Sequence, residues 1–205
     1  MPKNLKLILI IAFLLLALLA KLSPLFIVDI LFTEFLQNIN QPFFKELMLN
    51  ITRLGNINAI YLSVLLAVLV LYLFKKVKSA IFLVISTSGG IFLAEFFKYF
   101  IGRPRPASPV IEKFLDITGN NSFPSGHVLF AISFYGFLIF LTNLYIKDKV
   151  LKTVFNLIFI LIIILMGISR IYLGAHWLSD VLGAYFLGVT WLLTIHMIFL
   201  NQKLK

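Results

Sequence analysis

The chain has no cysteine, which excludes disulfides, thiolate nucleophiles and thiolate-bound metals. It is also poor in charge. Of its 205 residues 13% are Asp, Glu, Lys or Arg, and only 8 are acidic. A soluble domain usually carries about 25% charged residues. With 61% hydrophobic residues and a mean hydropathy of +1.04, this composition excludes an ordinary water-soluble fold and places the chain in a bilayer. Histidine is scarce as well. Only His127, His176 and His196 exist, so acid–base chemistry near neutral pH has few candidates. There is no internal repeat and no low-complexity tract.

What is abundant is long apolar sequence. Six runs stand out, Leu5–Ala20, Ile57–Phe74, Ala80–Phe100, His127–Ile146, Val150–Ile168 and Leu178–Leu200. Most come close to the roughly 20 residues that cross a hydrocarbon core as helix. The first is short, and spans by local thinning or by Lys21 snorkelling from a helix that ends near Leu25. No A-x-A site follows it, so an uncleaved anchor is expected rather than a signal peptide. The expected fold is all-α, a six-transmembrane helix bundle forming one membrane domain over residues 1–205.

Between the first two runs the pattern changes. Asp29, Thr33 and Gln37, with Glu34 and Asn38, recur at helical spacing against Ile27, Ile30, Leu31, Phe35 and Ile39. After Pro42, the residues Phe43, Phe44, Leu47, Met48, Ile51 and Leu54 alternate with Lys45, Glu46, Asn50 and Arg53. Two amphipathic helices in the membrane interface are expected here, serving either as a rim that admits lipid or as a cap on the bundle.

The net charge is +10. Its Lys and Arg lie in short inter-helix segments and form no stripe with interleaved aromatics, which argues against a nucleic-acid partner and for membrane lipids. Six spans put both termini on one side, and the 18 basic residues then divide ten to eight in favour of that side. Three of the eight, Lys98, Arg105 and Arg170, sit in polar clusters, and the rest are spread over longer loops. Acidic Asp29, Glu34, Glu46, Glu112 and Asp116 fall on the same side as the eight. The positive-inside rule therefore expects cytoplasmic termini, with the clusters at the outer face of the cytoplasmic membrane.

Those clusters carry the chemistry, because charged groups at a membrane margin are costly to keep. His176 and Asp180 are spaced i,i+4 at the mouth of the last span. On a helix the carboxylate would lie beneath the imidazole and fix its tautomer; the plainer alternative is a structural bond capping the helix. Ser125-Gly126-His127 opens the fourth span, where unpaired N–H groups favour an anion. Gly126 permits close backbone approach, and Ser125 either donates its hydroxyl or caps the helix. His127 is placed to protonate a departing oxygen. Lys98, Arg105 and Arg170 come from three separate regions and suit a phosphate, Arg through its planar fork and Lys as a point charge. Arg103, in the neighbouring Arg-Pro, is expected to be a loop or head-group contact. Glu95, three residues before Lys98, is expected to pair with it structurally.

Taken together, Lys98-x6-Arg105-Pro106, Pro124-Ser125-Gly126-His127 and Ser169-Arg170-x5-His176-x3-Asp180 resemble the three signature motifs of the type 2 phosphatidic acid phosphatase family. All motif positions are filled and in order between 98 and 180. The resemblance implies an integral-membrane lipid phosphatase acting on phosphatidylglycerophosphate, phosphatidic acid or undecaprenyl pyrophosphate. It implies His176 as a nucleophile forming a phosphohistidine, Asp180 orienting it, and His127 as the acid. Lys98, Arg105, Arg170, Ser125 and the Gly126 backbone would hold the phosphate oxygens, with no metal and no cofactor. A lipid phosphotransferase would share the intermediate, whereas a non-catalytic anion transporter would not call for two histidines and a carboxylate in these slots. Vanadium haloperoxidases use similar motifs, but they are soluble.

Overall fold

In the computed structural model, residues 4–23, 25–106, 111–115 and 119–203 are described; Lys3, Asp116 and Lys205, counted in the charge balance above, lie outside them. The described residues form eight helices, α1 (Leu5–Leu22), α2 (Ile27–Gln37), α3 (Pro42–Arg53), α4 (Ile57–Leu73), α5 (Val77–Ile101), α6 (Gly126–Tyr145), α7 (Lys149–Tyr172) and α8 (Leu178–Lys203). Five of them, α1 and α5 to α8, are long and apolar enough to cross a membrane alone. A sixth candidate span combines α3 with α4, whose 17 residues span roughly 26 Å. Helix α4 follows α3 through a 62° bend. The expected all-α six-span bundle is what forms. The helices run past the apolar runs at the functional end, so that α7 continues beyond Ile168 to carry Ser169 and Arg170 in its last turns. Hydropathy drops where polar groups begin, but the backbone hydrogen-bond ladder continues.

Helix α6 sits at the centre, packed against α5, α7 and α8. Lipid tails are as apolar as leucine, so helices associate in a membrane through close packing and hydrogen bonds rather than by leaving water. Small residues make that approach possible. A Cβ on Gly90 would fall 2.1 Å from Ser133 Oγ, and one on Gly89 would fall 2.1 Å from Trp191 Cζ2. Two interhelical bonds reinforce the contact, with Ser86 Oγ donating to Ser133 O at 2.8 Å and Trp191 Nε1 donating to Ser86 O at 2.8 Å. By contrast α4 buries none of its residues fully, and its Leu62, Leu65 and Leu69 face outward.

The two ends of the bundle differ. At one end the turn between α4 and α5 meets the ends of α6 and α8, where Lys78 Nζ donates to Gln202 O and Ser79 Oγ pairs with Tyr145 OH at 2.7 Å. The opposite end gathers the C-termini of α5 and α7, the starts of α6 and α8, and the pair α2 and α3.

Helices α2 and α3 cap that opposite end, α2 on α7 and α8, and α3 on α7. The amphipathic pattern is present, but on α2 its polar side turns inward. Asp29 and Thr33 are buried while Ile27, Val28, Leu31 and Phe35 are exposed. The reason is electrostatic, since Asp29 meets a buried arginine described below. Periodicity identifies two faces of a helix and leaves open which one meets protein.

Candidate active site

Helix α5 ends in a left-handed glycine, Gly102 at φ 68°, whose N–H closes on Lys98 O. That turn drives Arg103 into the protein rather than toward lipid head groups, which corrects its expected role as a loop contact. Arg103 is fully buried. Its Nη1 donates to Asp180 Oδ1 at 2.6 Å and to Ser179 Oγ at 2.7 Å, and its Nη2 donates to Asp29 Oδ2 at 2.7 Å. An isolated guanidinium here would be prohibitive; shared between two carboxylates it is compensated.

His176 stands just before α8 rather than on it, because Gly174, at φ 66°, turns the chain after α7. Asp180, in the first turn of α8, therefore reaches back instead of stacking along a helix. Its Oδ2 accepts the Trp177 N–H at 2.9 Å, the return half of a capping box. The same oxygen lies 3.4 Å from His176 Nδ1. Asp29 Oδ1 accepts the Ser179 N–H at 2.8 Å, so two carboxylates serve the positive end of this helix. On the other side of the ring, Arg105 Nη1 is 3.3 Å from His176 Nε2. A guanidinium has no lone pair and only donates, so Nε2 accepts there and the ring proton falls to Nδ1, which is near Asp180 but makes no hydrogen bond. Arg105 is itself fixed by bonds from Nε to Gly119 O at 2.9 Å and from Nη1 to Ala175 O at 2.8 Å. Burial, together with Arg170, Arg105 and Lys98, holds the His176 imidazolium pKa well below its ordinary value.

The remaining groups gather about the same ring. Lys98 Nζ lies 3.3 Å from where a Gly126 Cβ would stand, so the bare glycine is what lets the ammonium approach the start of α6. Its present partner is Glu95 Oε1 at 2.6 Å, as the spacing suggested. Ser125 makes no side-chain cap; its N–H joins the two helix starts by donating to Asp180 O at 3.2 Å, and its Oγ is buried without a partner. His127 Nε2 and Arg170 Nε are likewise buried and unpartnered. His127 lies within electrostatic reach of Arg170, His176, Lys98 and Arg105. Buried polar atoms are normally satisfied, so these three unpaired atoms, with Lys98, Arg105 and Arg170 within electrostatic reach of both imidazoles, are the groups a polar anion would satisfy.

All eight residues singled out from sequence (Lys98, Arg105, Ser125, Gly126, His127, Arg170, His176 and Asp180) thus come from one end of the bundle. Four more escaped that reading, namely Asp29, Arg103, Thr52 and Gly55. Thr52 Oγ1 accepts from Arg170 Nη1 at 2.5 Å, and a Cβ on Gly55 would fall 2.3 Å from His127 Cδ2. Asp29 carried a faint signal as an acid on a helix near a membrane. Thr52 and Gly55 carried none. Among the described residues no group of three His, Cys, Asp or Glu is arranged to hold a metal ion.

A multi-pass bundle with two histidines, a buried carboxylate and three cations at one end is the arrangement of a membrane-embedded phosphatase, and the comparisons with known proteins show that class. The chain belongs to the PAP2 superfamily, whose family model matches residues 60–203. It is 30% identical over 154 residues to phosphatidylglycerophosphatase B of Bacillus subtilis (strain 168), covering 74% of this chain and 73% of that one. Its fold matches the crystal structure of a transmembrane PAP2-type phosphatidylglycerolphosphate phosphatase from Bacillus subtilis with a TM-score of 0.81 and 25% identity, covering 99% of this chain and 98% of that one. Aquifex aeolicus LpxE shares the fold, with a TM-score of 0.62 and 24% identity over 86% of this chain and 96% of that one.

Proposed function

We propose that the protein hydrolyses a phosphate monoester or pyrophosphate of a membrane lipid through a phosphohistidine at His176. The observation that carries this reading is the His176 ring, with Nδ1 beside Asp180 and Nε2 facing Arg105 in a cluster that also holds Arg170 and Lys98. In the first step Nε2 attacks phosphorus in line, and the bond from phosphorus to the lipid oxygen breaks. His127 gives its proton to that oxygen, releasing the lipid alcohol or the lipid monophosphate. Lys98, Arg105, Arg170, the Ser125 hydroxyl and the first N–H groups of α6 hold the equatorial oxygens, where charge gathers in the transition state. Arg105 leaves Nε2 for a phosphate oxygen as substrate seats. In the second step water attacks the phosphohistidine, His127 takes the water's proton, and inorganic phosphate leaves with His176 restored.

We read the substrate as a lipid because the site residues gather where the apolar helices end, so an acyl or prenyl tail would stay in the bilayer while its head enters. The relative named for phosphatidylglycerophosphate makes that lipid the first to test. From the balance of Lys and Arg we propose that the termini are cytoplasmic and the site is on the outer face.

The deciding experiment measures phosphate release from phosphatidylglycerophosphate, phosphatidic acid and undecaprenyl pyrophosphate in detergent with EDTA, beside alkaline-quench trapping of a base-stable, acid-labile phosphoenzyme. Wild type should turn over and become labelled, and His176→Ala should do neither. Unchanged turnover in His176→Ala removes the mechanism.

A further inference from the structure

The junction of α3 and α4 reaches into the site from a segment outside all three motifs. Met48, Thr52 and Gly55 follow one another at helical spacing and are buried, while Arg53, Leu54 and Ile57 beside them are turned out. Thr52 Oγ1 holds Arg170 Nη1 at 2.5 Å. A guanidinium is planar, so fixing one N–H sets the direction of the others, and it leaves Nε buried and pointed at no protein acceptor. At Gly55 a Cβ would lie 2.3 Å from His127 Cδ2 and 2.9 Å from Cγ. The glycines with positive φ among the described residues are Gly102, Gly119 and Gly174. Gly55 is not one of them, so its own turn does not require glycine. The requirement comes from the imidazole seated against its backbone.

From this geometry we infer that the α3–α4 elbow is a positioning element of the site, in which Gly55 sets the place of the His127 ring and Thr52 aims Arg170 at the phosphate. The inference rests on the roles proposed above for His127 and Arg170. Neither Thr52 nor Gly55 touches the phosphate, and each acts through the side chain it holds.

A double-mutant cycle on the full-length protein in detergent tests it, with phosphatidic acid and diacylglycerol pyrophosphate as substrates of matched tail. Gly55→Ala should lower kcat/KM for phosphatidic acid roughly 100-fold, the cost of displacing a catalytic group by about 1 Å. The pyrophosphate, whose leaving group needs a proton less, should suffer much less. In a His127→Ala background the added methyl meets no ring, so Gly55→Ala should change the rate less than about twofold. A loss that persists in that background means Gly55 serves only the bundle, and overturns the inference. His127→Ala that slows both substrates equally overturns the general-acid role instead, and the cycle still reports whether residues 55 and 127 are coupled.

Thr52 tests the other half, and does so even where Gly55→Ala does not fold. Thr52→Val should raise KM and the orthovanadate inhibition constant about tenfold, the scale of one hydrogen bond to a charged group, with kcat little changed. Thr52→Ser should restore both. Equal values in all three proteins overturn the role of Thr52.

Discussion

Arg103 Nη1 lies 2.6 Å from Asp180 Oδ1, and neither side chain reaches solvent. The carboxylate that faces His176 is thus anchored by an arginine whose other arm holds Asp29 on α2. The catalytic end of the bundle and its cap are joined through one guanidinium.

Removing that guanidinium strands two buried carboxylates. Arg103→Ala should destabilise the protein by about 3–5 kcal/mol, the usual cost of breaking a buried pair from one side. Arg103→Lys should recover little, because a single ammonium cannot present two parallel arms to Asp180 and Asp29. Thermal unfolding in detergent measures both, and a variant as stable as wild type would show that the pair contributes nothing.

Asp180→Asn removes the carboxylate charge beside His176 Nδ1 and weakens the hold of Arg103. We expect kcat to fall by at least about 100-fold, toward the larger losses seen when an orienting aspartate in a catalytic triad is amidated. Phosphoenzyme formation in single-turnover quench experiments should slow in parallel. A kcat within twofold of wild type would detach Asp180 from the nucleophile.

The pH dependence follows from the depressed pKa of His176. The imidazole stays neutral, hence nucleophilic, well into the acid range, so the acid limb of kcat/KM assigned to it should lie below the ordinary value of about 6.5. Stability responds in the same direction. As pH falls below about 6.5 the unfolded chain binds a proton that folded His176 refuses, so its contribution is present above that pH and is lost as pH drops toward the folded value. Melting temperatures between about pH 7.5 and 5 should decline, and less steeply in His176→Gln. Identical slopes would count against the shift.

Gly89 and Gly90 test the packing of α5 in the bundle. A methyl on either glycine must displace the Trp191 ring or the Ser133 hydroxyl, and overpacking of this kind typically costs about 1–3 kcal/mol. Each Ala variant should melt lower in detergent with its KM little altered, since neither position borders the site. A KM change without a stability change would reverse that assignment.

Lys98 is held by Glu95 across a partly exposed pair. Glu95→Gln should leave stability nearly unchanged, as exposed pairs contribute about 0–1 kcal/mol, and should tighten orthovanadate inhibition by removing a competing anion. Weaker inhibition would mean that Glu95 assists the phosphate rather than competing with it.

Much of this protein is readable in the linear chain because its signals are local. Apolar runs near the length of a bilayer mark the spans, and Lys98, Ser125, Gly126, His127, Arg170, His176 and Asp180 stand out where those runs stop. The role of Arg103, beside Arg105, could not be read that way. Both precede proline two residues apart, with nearly the same local context. The left-handed turn at Gly102 and the approach of Asp29, 74 residues away, send the first to the buried carboxylates, while the second reaches His176. Thr52 and Gly55 were equally silent, for a threonine and a glycine in an amphipathic stretch matter only once α3 bends into α4 beside α6 and α7. Sequence by itself determined where the chain is apolar and which polar groups it retains at the margin. Tertiary structure decided which of those groups meet, because burying a charge is tolerable only opposite its partner, and partners distant in the chain are chosen by how helices pack.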